Sequence, residues 1–225
     1  MRILRSVGLL AALTLLAAWP SASQMMGNMP NLRGVWNPVI GSGASYQVDG
    51  KTGKTGLEIA VVGKEDVSGK PGFWVEMGMS PNGTGQMYVK NLMVLDGKNT
   101  GISRMIMQMP GQAPMEMPVA MFNRNPAAAP TTDIRDQAEH VGTEDVTTPA
   151  GTFSCEHYRS AKDAGDVWIS AKVTPWGLVK AVNNGETIIV DRLISDAKDH
   201  ITGTPKQFDP AEMMRQRGGQ QPPQQ

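Results

Sequence analysis

The chain has almost no cysteine. Cys155 is alone among 225 residues, so no intramolecular disulfide staples the fold. It also lies far from the N-terminus, which excludes a lipidated cysteine just after a cleaved leader. A buried structural thiol is its expected state, because free cysteine is among the most buried residue types. Charge of one sign is equally scarce: 21 Lys and Arg balance 21 Asp and Glu. Such a surface does not gather nucleic acid or anionic lipid. Aromatic residues make up 5% of the chain, and no basic run interleaves the tryptophans, so base stacking is not expected. One apolar run stands out, Val7–Trp19, and it falls short of the ~20 residues a spanning helix needs.

That run has another meaning. Arg2 and Arg5 precede it, Pro20 ends it, and Ser21-Ala22-Ser23 offers small residues for cleavage before Gln24. This is the pattern of an export signal. Residues 1–23 are read as a signal peptide, and the mature protein as periplasmic or secreted. No further run suggests a transmembrane segment. Loss of Arg2 and Arg5 leaves a slight acidic excess. The remaining chain is long enough for one well-cored domain.

What is present is turn chemistry. The 25 glycines and 16 prolines exceed the usual combined share of ~12%. They punctuate strand-like runs at Ser42–Val48, Gly56–Val62, Gly72–Met79, Gln86–Leu95, Thr100–Met109 and Met115–Phe122. A second series follows at Glu139–Thr147, Phe153–Arg159, Asp166–Lys172, Leu178–Val182 and Glu186–Ile194. Asn183-Asn184-Gly185 is a strong hairpin signal between the last two. Loops this short join antiparallel strands, not parallel ones. Between the series, Asn123–Thr132 breaks the pattern, and Thr132-Asp133 caps a short candidate helix, Ile134–His140. Asp209-Pro210-Ala211-Glu212 has the caps of a second short helix. Beyond it, Gly218–Gln225 contains only Gly, Gln and Pro and is expected to be disordered. The reading is a flexible lead-in over 24–33, a single antiparallel β domain over 34–202, and a helix with a disordered tail over 203–225.

Methionine is the compositional signature, at 16 residues. Met77/Met79, Met105/Met107/Met109 and Met115/Met117 step by two, so each set lies on one face of its strand. Met87, Met93 and Met121 lie nearby in sequence. Whether the faces share one side of a sheet depends on register. Three uses fit the pattern. Methionine fills irregular cores, it lines adaptable apolar grooves, and thioethers select Cu(I). Trp74, Met77, Met79, Met105, Met107, Met109, Met115 and Met117 are the candidate hydrophobic binding face, with Phe73 beside them.

Catalytic motifs are missing. There is no phosphate-binding glycine loop before a helix, no His-Glu-x-x-His run and no Gly-x-Ser-x-Gly elbow. Cys155-Glu156-His157 puts a thiol and an imidazole on one strand face, but a lone pair at that spacing does not make a metal site. His140, His157 and His200 are far apart in sequence. No catalytic residue, metal ligand set or cofactor is assigned. Glu65, Asp66, Glu139, Glu144 and Asp145 fall in or beside turns and read as solvated.

One stretch is familiar. Thr147-Thr148-Pro149-Ala150-Gly151-Thr152-Phe153-Ser154-Cys155, then Val167-Trp168, then Pro175-Trp176-Gly177-Leu178-Val179-Lys180, resembles an uncharacterised exported bacterial family. That family resembles the LolA/LolB-like lipoprotein-carrier superfamily. The resemblance implies a mainly β fold: a curved antiparallel sheet, an unclosed half-barrel, with one or two short helices. With the methionine face, the leading reading is non-enzymatic binding or carriage of a hydrophobic ligand, such as an acyl chain, in the periplasm. Methionine-based copper(I) handling and an envelope protein-interaction module are the alternatives.

Overall fold

The computed structural model describes residues 34–50, 53–80, 85–96, 99–121, 133–160, 165–183 and 185–209. The strands are β1 (Ser42–Gly50), β2 (Gly53–Val67), β3 (Lys70–Met79), β4 (Met87–Asp96), β5 (Asn99–Gln108), β6 (Met115–Met117), β7 (Glu139–Thr148), β8 (Gly151–Ser160), β9 (Gly165–Ile169), β10 (Leu178–Asn183), β11 (Glu186–Ser195) and β12 (Lys206–Gln207). They form one 12-stranded sheet in the order β12-β6-β5-β4-β3-β2-β1-β11-β10-β9-β8-β7. The sheet is unclosed and fits the curved half-barrel that the sequence leads one to expect. Hairpins build each series locally. The seam is non-local: β1 pairs with β2 on one side and with β11 on the other, with Val48 opposite Ile188 and Tyr46 opposite Val190.

Several boundaries differ from expectation. β2 runs on to Val67 because a bulge between Val61 and Gly63 lets the polar stretch Lys64–Asp66 keep pairing with β3. β6 stops at Met117, since Pro118 has no N–H for the ladder, and Val119–Met121 turns as a 3-10 helix. β9 stops at Ile169, where the Ser170 N–H donates to Gly177 O at 2.7 Å and starts a turn. The candidate helix Ile134–His140 shrinks to one 3-10 turn, Ile134–Asp136. Asp133 caps it by accepting from the Arg135 N–H at 3.0 Å. Glu139 and His140 instead pair with Arg159 and Tyr158 on β8, because so short a helix cannot outcompete strand pairing. No α-helix occurs among the described residues. The linker 123–132 and the tail helix and tail from Pro210 lie outside the described residues. β12 was not expected at all, and it pairs with β6 in parallel, an exception to the antiparallel pattern.

Two apolar assemblies close around the sheet. Ile134, Tyr158 and Ile169 pack with Val35, Ala138 and Val167. Trp36 packs edge-on against Phe73 at 6.2 Å and tilts against Trp176 at 5.7 Å. The segment before β1 is held there by the Val35 N–H, which donates to Trp176 O at 2.8 Å. Only glycine fits at the start of that segment: a Cβ on Gly34 would lie 1.8 Å from Trp176 O. The Trp-Gly turn of the familiar motif thus serves packing.

Candidate functional site

Residues directly opposite each other in a sheet share a face, so the pairing register settles how the methionines relate. Ile59 faces Met77, which faces Val89, then Met107, then Met115. The adjacent row runs Val61, Val75, Asn91, Met105, Met117. At the end of the strands, Leu57 faces Met79 and Met87. Phe73 and Met93 continue the same face at the other end. The separate methionine sets therefore coincide on one side of β3–β6. Three cross-strand pairs stand directly opposed: Met79/Met87, Met107/Met115 and Met105/Met117. Strands β3–β6 place no charged residue on this face; on β2, Lys64 stands opposite Phe73, with its Nζ 5.9 Å from the ring centroid.

This face is shielded from water. Met77, Met87, Met93, Met105, Met107 and Met117 are buried, while Met79 and Met115 are half-buried at the strand ends. Met109 lies beyond β5, half-buried in the turn, where its carbonyl accepts from the Gln112 N–H at 3.1 Å. Asn91 is the polar exception within the rows. It is 5% exposed, and its Oδ1 has no hydrogen-bond partner. Such an orphan costs about 1–3 kcal/mol in a folded protein. The sequence held a signal for it. Asn91 occupies a position of the alternating series Met87, Val89, Met93, where apolar residues are the rule.

Trp74 does not join the methionines. It lies three residues from Met77 in one strand, and odd spacing puts the two on opposite faces. There its Nε1 donates to Glu65 Oε2 at 3.0 Å. Lys90 Nζ and Arg104 Cζ each lie 5.3 Å from the ring centroid. Arg104 donates to both carboxylate oxygens of Glu116, at 2.7 and 3.2 Å. That hydrogen bonding holds the Glu116 carboxyl below its usual range and raises the guanidinium. Glu65, read as solvated, is a partner in this network.

The segment Ala197–Phe208 straps across this polar face. The Ala197 N–H donates to Gly41 O at 2.8 Å, and the Phe208 N–H donates to Glu116 O at 2.9 Å. Lys90 donates to Asp199. Glu76, 4% exposed, lies 2.7 Å from His200 Nδ1 and accepts from the His200 and Ile201 N–H groups at 3.2 Å. Burial raises the Glu76 carboxyl despite the opposing bonds from His200. His200 stacks on Tyr88 at 4.6 Å. The two faces thus differ in kind: one is thioether and aliphatic, the other is ionic and strapped.

The remaining candidates are structural in setting. Cys155 is buried, and burial first, then the nearby Asp145 and Glu144 carboxylates, push its thiol up to about 11. A thiol so protonated is a poor nucleophile and a poor metal ligand. His157 stacks on Trp168 at 4.4 Å and lies 2.7 Å from Asp166 and 3.2 Å from Glu144. Glu144 also accepts from Trp168 Nε1 at 2.6 Å, so it is engaged, not merely solvated. Among the described residues no group of three His, Cys, Asp or Glu is placed to hold a metal ion. No helix among them is long and apolar enough to cross a membrane. A cleft of about 270 Å³ at the β1–β11 end is lined by Val39, Ser42, Lys172 and Leu193, away from the methionines.

No family model and no curated protein matches the chain. Among solved structures it is similar to a Bacteroides fragilis protein described as exported with a YmcC-like fold. That pair shares 17% identity over 72% of this chain and 99% of the other, with a TM-score of 0.36. A Parabacteroides distasonis protein described as a lipoprotein is similar at 14% identity, with the same coverage and TM-score. Scores this low argue neither a shared function nor a shared ligand. None of these comparisons connects the chain to the LolA/LolB-like superfamily.

Proposed function

We propose that the mature chain is an exported, non-enzymatic binding protein that carries a hydrophobic ligand, such as an acyl chain, on its methionine face. The observation that carries this reading is the register of β3–β6, which aligns the methionines of four strands on one side of an unclosed sheet, where those strands place no charged residue. Unbranched thioethers repack around chains of varied shape, which suits a carrier better than a fixed core of branched residues. Apolar burial supplies the affinity, at about 25 cal/mol per Å² before the costs of ordering. The Val7–Trp19 leader supports a periplasmic or secreted location. The test is native mass spectrometry of protein purified without detergent. A bound mass of lipid size, removed by organic extraction, is expected. A bare polypeptide from the producing cells refutes carriage.

A second reading has its own observation. Met105, Met107, Met115 and Met117 form two directly opposed pairs in adjacent strands, a quartet of soft sulfur donors. Thioethers of this kind select Cu(I). Titration of Cu(I) against a competing chelator separates the readings. Leucine at all four positions keeps the bulk and removes the sulfur, so loss of stoichiometric binding in that variant favours copper. Unchanged binding rejects the quartet.

A further inference from the structure

This inference rests on the methionine face being the ligand site and concerns which ligand it takes. We propose that Asn91 recognises a hydrogen-bond donor on the ligand, so that the cargo is an apolar chain bearing a hydroxyl or amide N–H, not a plain hydrocarbon. The Asn91 side-chain carbonyl is an acceptor with two lone pairs and, at 5% exposure, no hydrogen-bond partner. Its row neighbours Val61, Val75, Met105 and Met117 carry no donor. Val89 and Met93, next on the same face of β4, carry none either.

The position suits recognition within an apolar site. Met79 and Met115, half-buried at the strand ends, are the least buried methionines of the rows. From Met87, the buried partner of Met79, to Asn91 is four residues of strand, about 13 Å. Beyond Asn91 the face leads to Phe73, against which Trp36 packs. A chain lying along the rows from Met79 brings a donor to Asn91 before it meets the aromatic stop. A site with one unpaired acceptor in an apolar lining discriminates sharply. A donor satisfies the oxygen, whereas a plain chain displaces any water and leaves it unpaired.

The experiment uses the full mature chain after organic extraction, loaded with an environment-sensitive naphthylamine fluorophore. Dodecanol and dodecyl methyl ether, which differ in the donor, compete for displacement. Wild type is expected to bind the alcohol roughly tenfold more tightly, the scale of one buried hydrogen bond. In Asn91→Leu the ratio is expected to fall to about one. Equal binding of both ligands by wild type, or a ratio that survives in Asn91→Leu, overturns the role of Asn91 and leaves the carrier reading standing. If Asn91→Leu does not fold, Asn91→Val replaces it, and the wild-type ratio decides alone if both fail. Absence of fluorophore binding, with no displacement by either ligand, sinks the carrier reading and this inference together.

Discussion

Replacing Asn91 by leucine should make the empty protein more stable. The side chain sits between Val75 and Met105 in a row whose other members are apolar and buried. Its unpaired Oδ1 costs about 1–3 kcal/mol, and a leucine of similar length places methyl groups there instead. A net gain of about 1–2 kcal/mol follows after allowing for imperfect packing of the branched side chain. For a domain of this size, each kcal/mol moves Tm by about 2–4 °C. Urea denaturation of extracted protein reads the change as a higher midpoint at unchanged slope. A loss of more than about 1 kcal/mol would show that the oxygen is already satisfied, and the physical basis for donor recognition would go with it. A gain in stability paired with lost ligand selectivity is the signature of a polar group kept for function.

Two further outcomes follow from the contrast between the faces. Met107→Ala should cost about 2–5 kcal/mol by the same denaturation assay, whereas Met107→Leu should cost under about 1.5, because only alanine opens a cavity beside Val89 and Met115. Glu76 sets a pH dependence. Its carboxyl is raised in the folded protein by burial against the strap residues His200 and Ile201, so the folded state holds that proton more tightly than the unfolded chain. Its contribution to stability therefore falls as pH rises from the ordinary carboxylate range through the raised value. Measured from neutral to mildly acidic pH, wild type should gain stability relative to Glu76→Gln as pH falls. A difference that does not change with pH would show that Glu76 is not shifted.

The ionic face explains why β3–β6 leave no charged residue among the methionines. Glu76 and Lys90 sit in one cross-strand row, flanked by Ala60 and Ile106 and ending at Glu116. Each is answered across that surface by His200, Asp199 or Arg104. Strict alternation in β3 and β4 sends these groups to the strapped side and the thioethers to the other. One change of parity in either strand would bury a carboxylate or ammonium among the methionines, at a cost far above that of the single amide now there.

Much of this was legible locally. Side-chain parity has a period of two, so the sequence alone determined that Met105 and Met107 share a face. The same parity sets Trp74 opposite Met77, against the expectation that grouped them on one face. Turn residues placed most of the hairpins because their backbone preferences act over a few residues. The tertiary structure decided the rest. Whether Met77, Met107 and Met115 meet depends on three successive registers, and the bulges at Val61/Gly63 and Leu92/Met93 each shift one ladder by a residue. The seam of β1 with β11 and the strap from Ala197 to Phe208 join segments far apart in the chain. The short helix at Ile134 yielded to pairing with β8. Local preference cannot specify such contacts, because their energy exists only once distant strands have met.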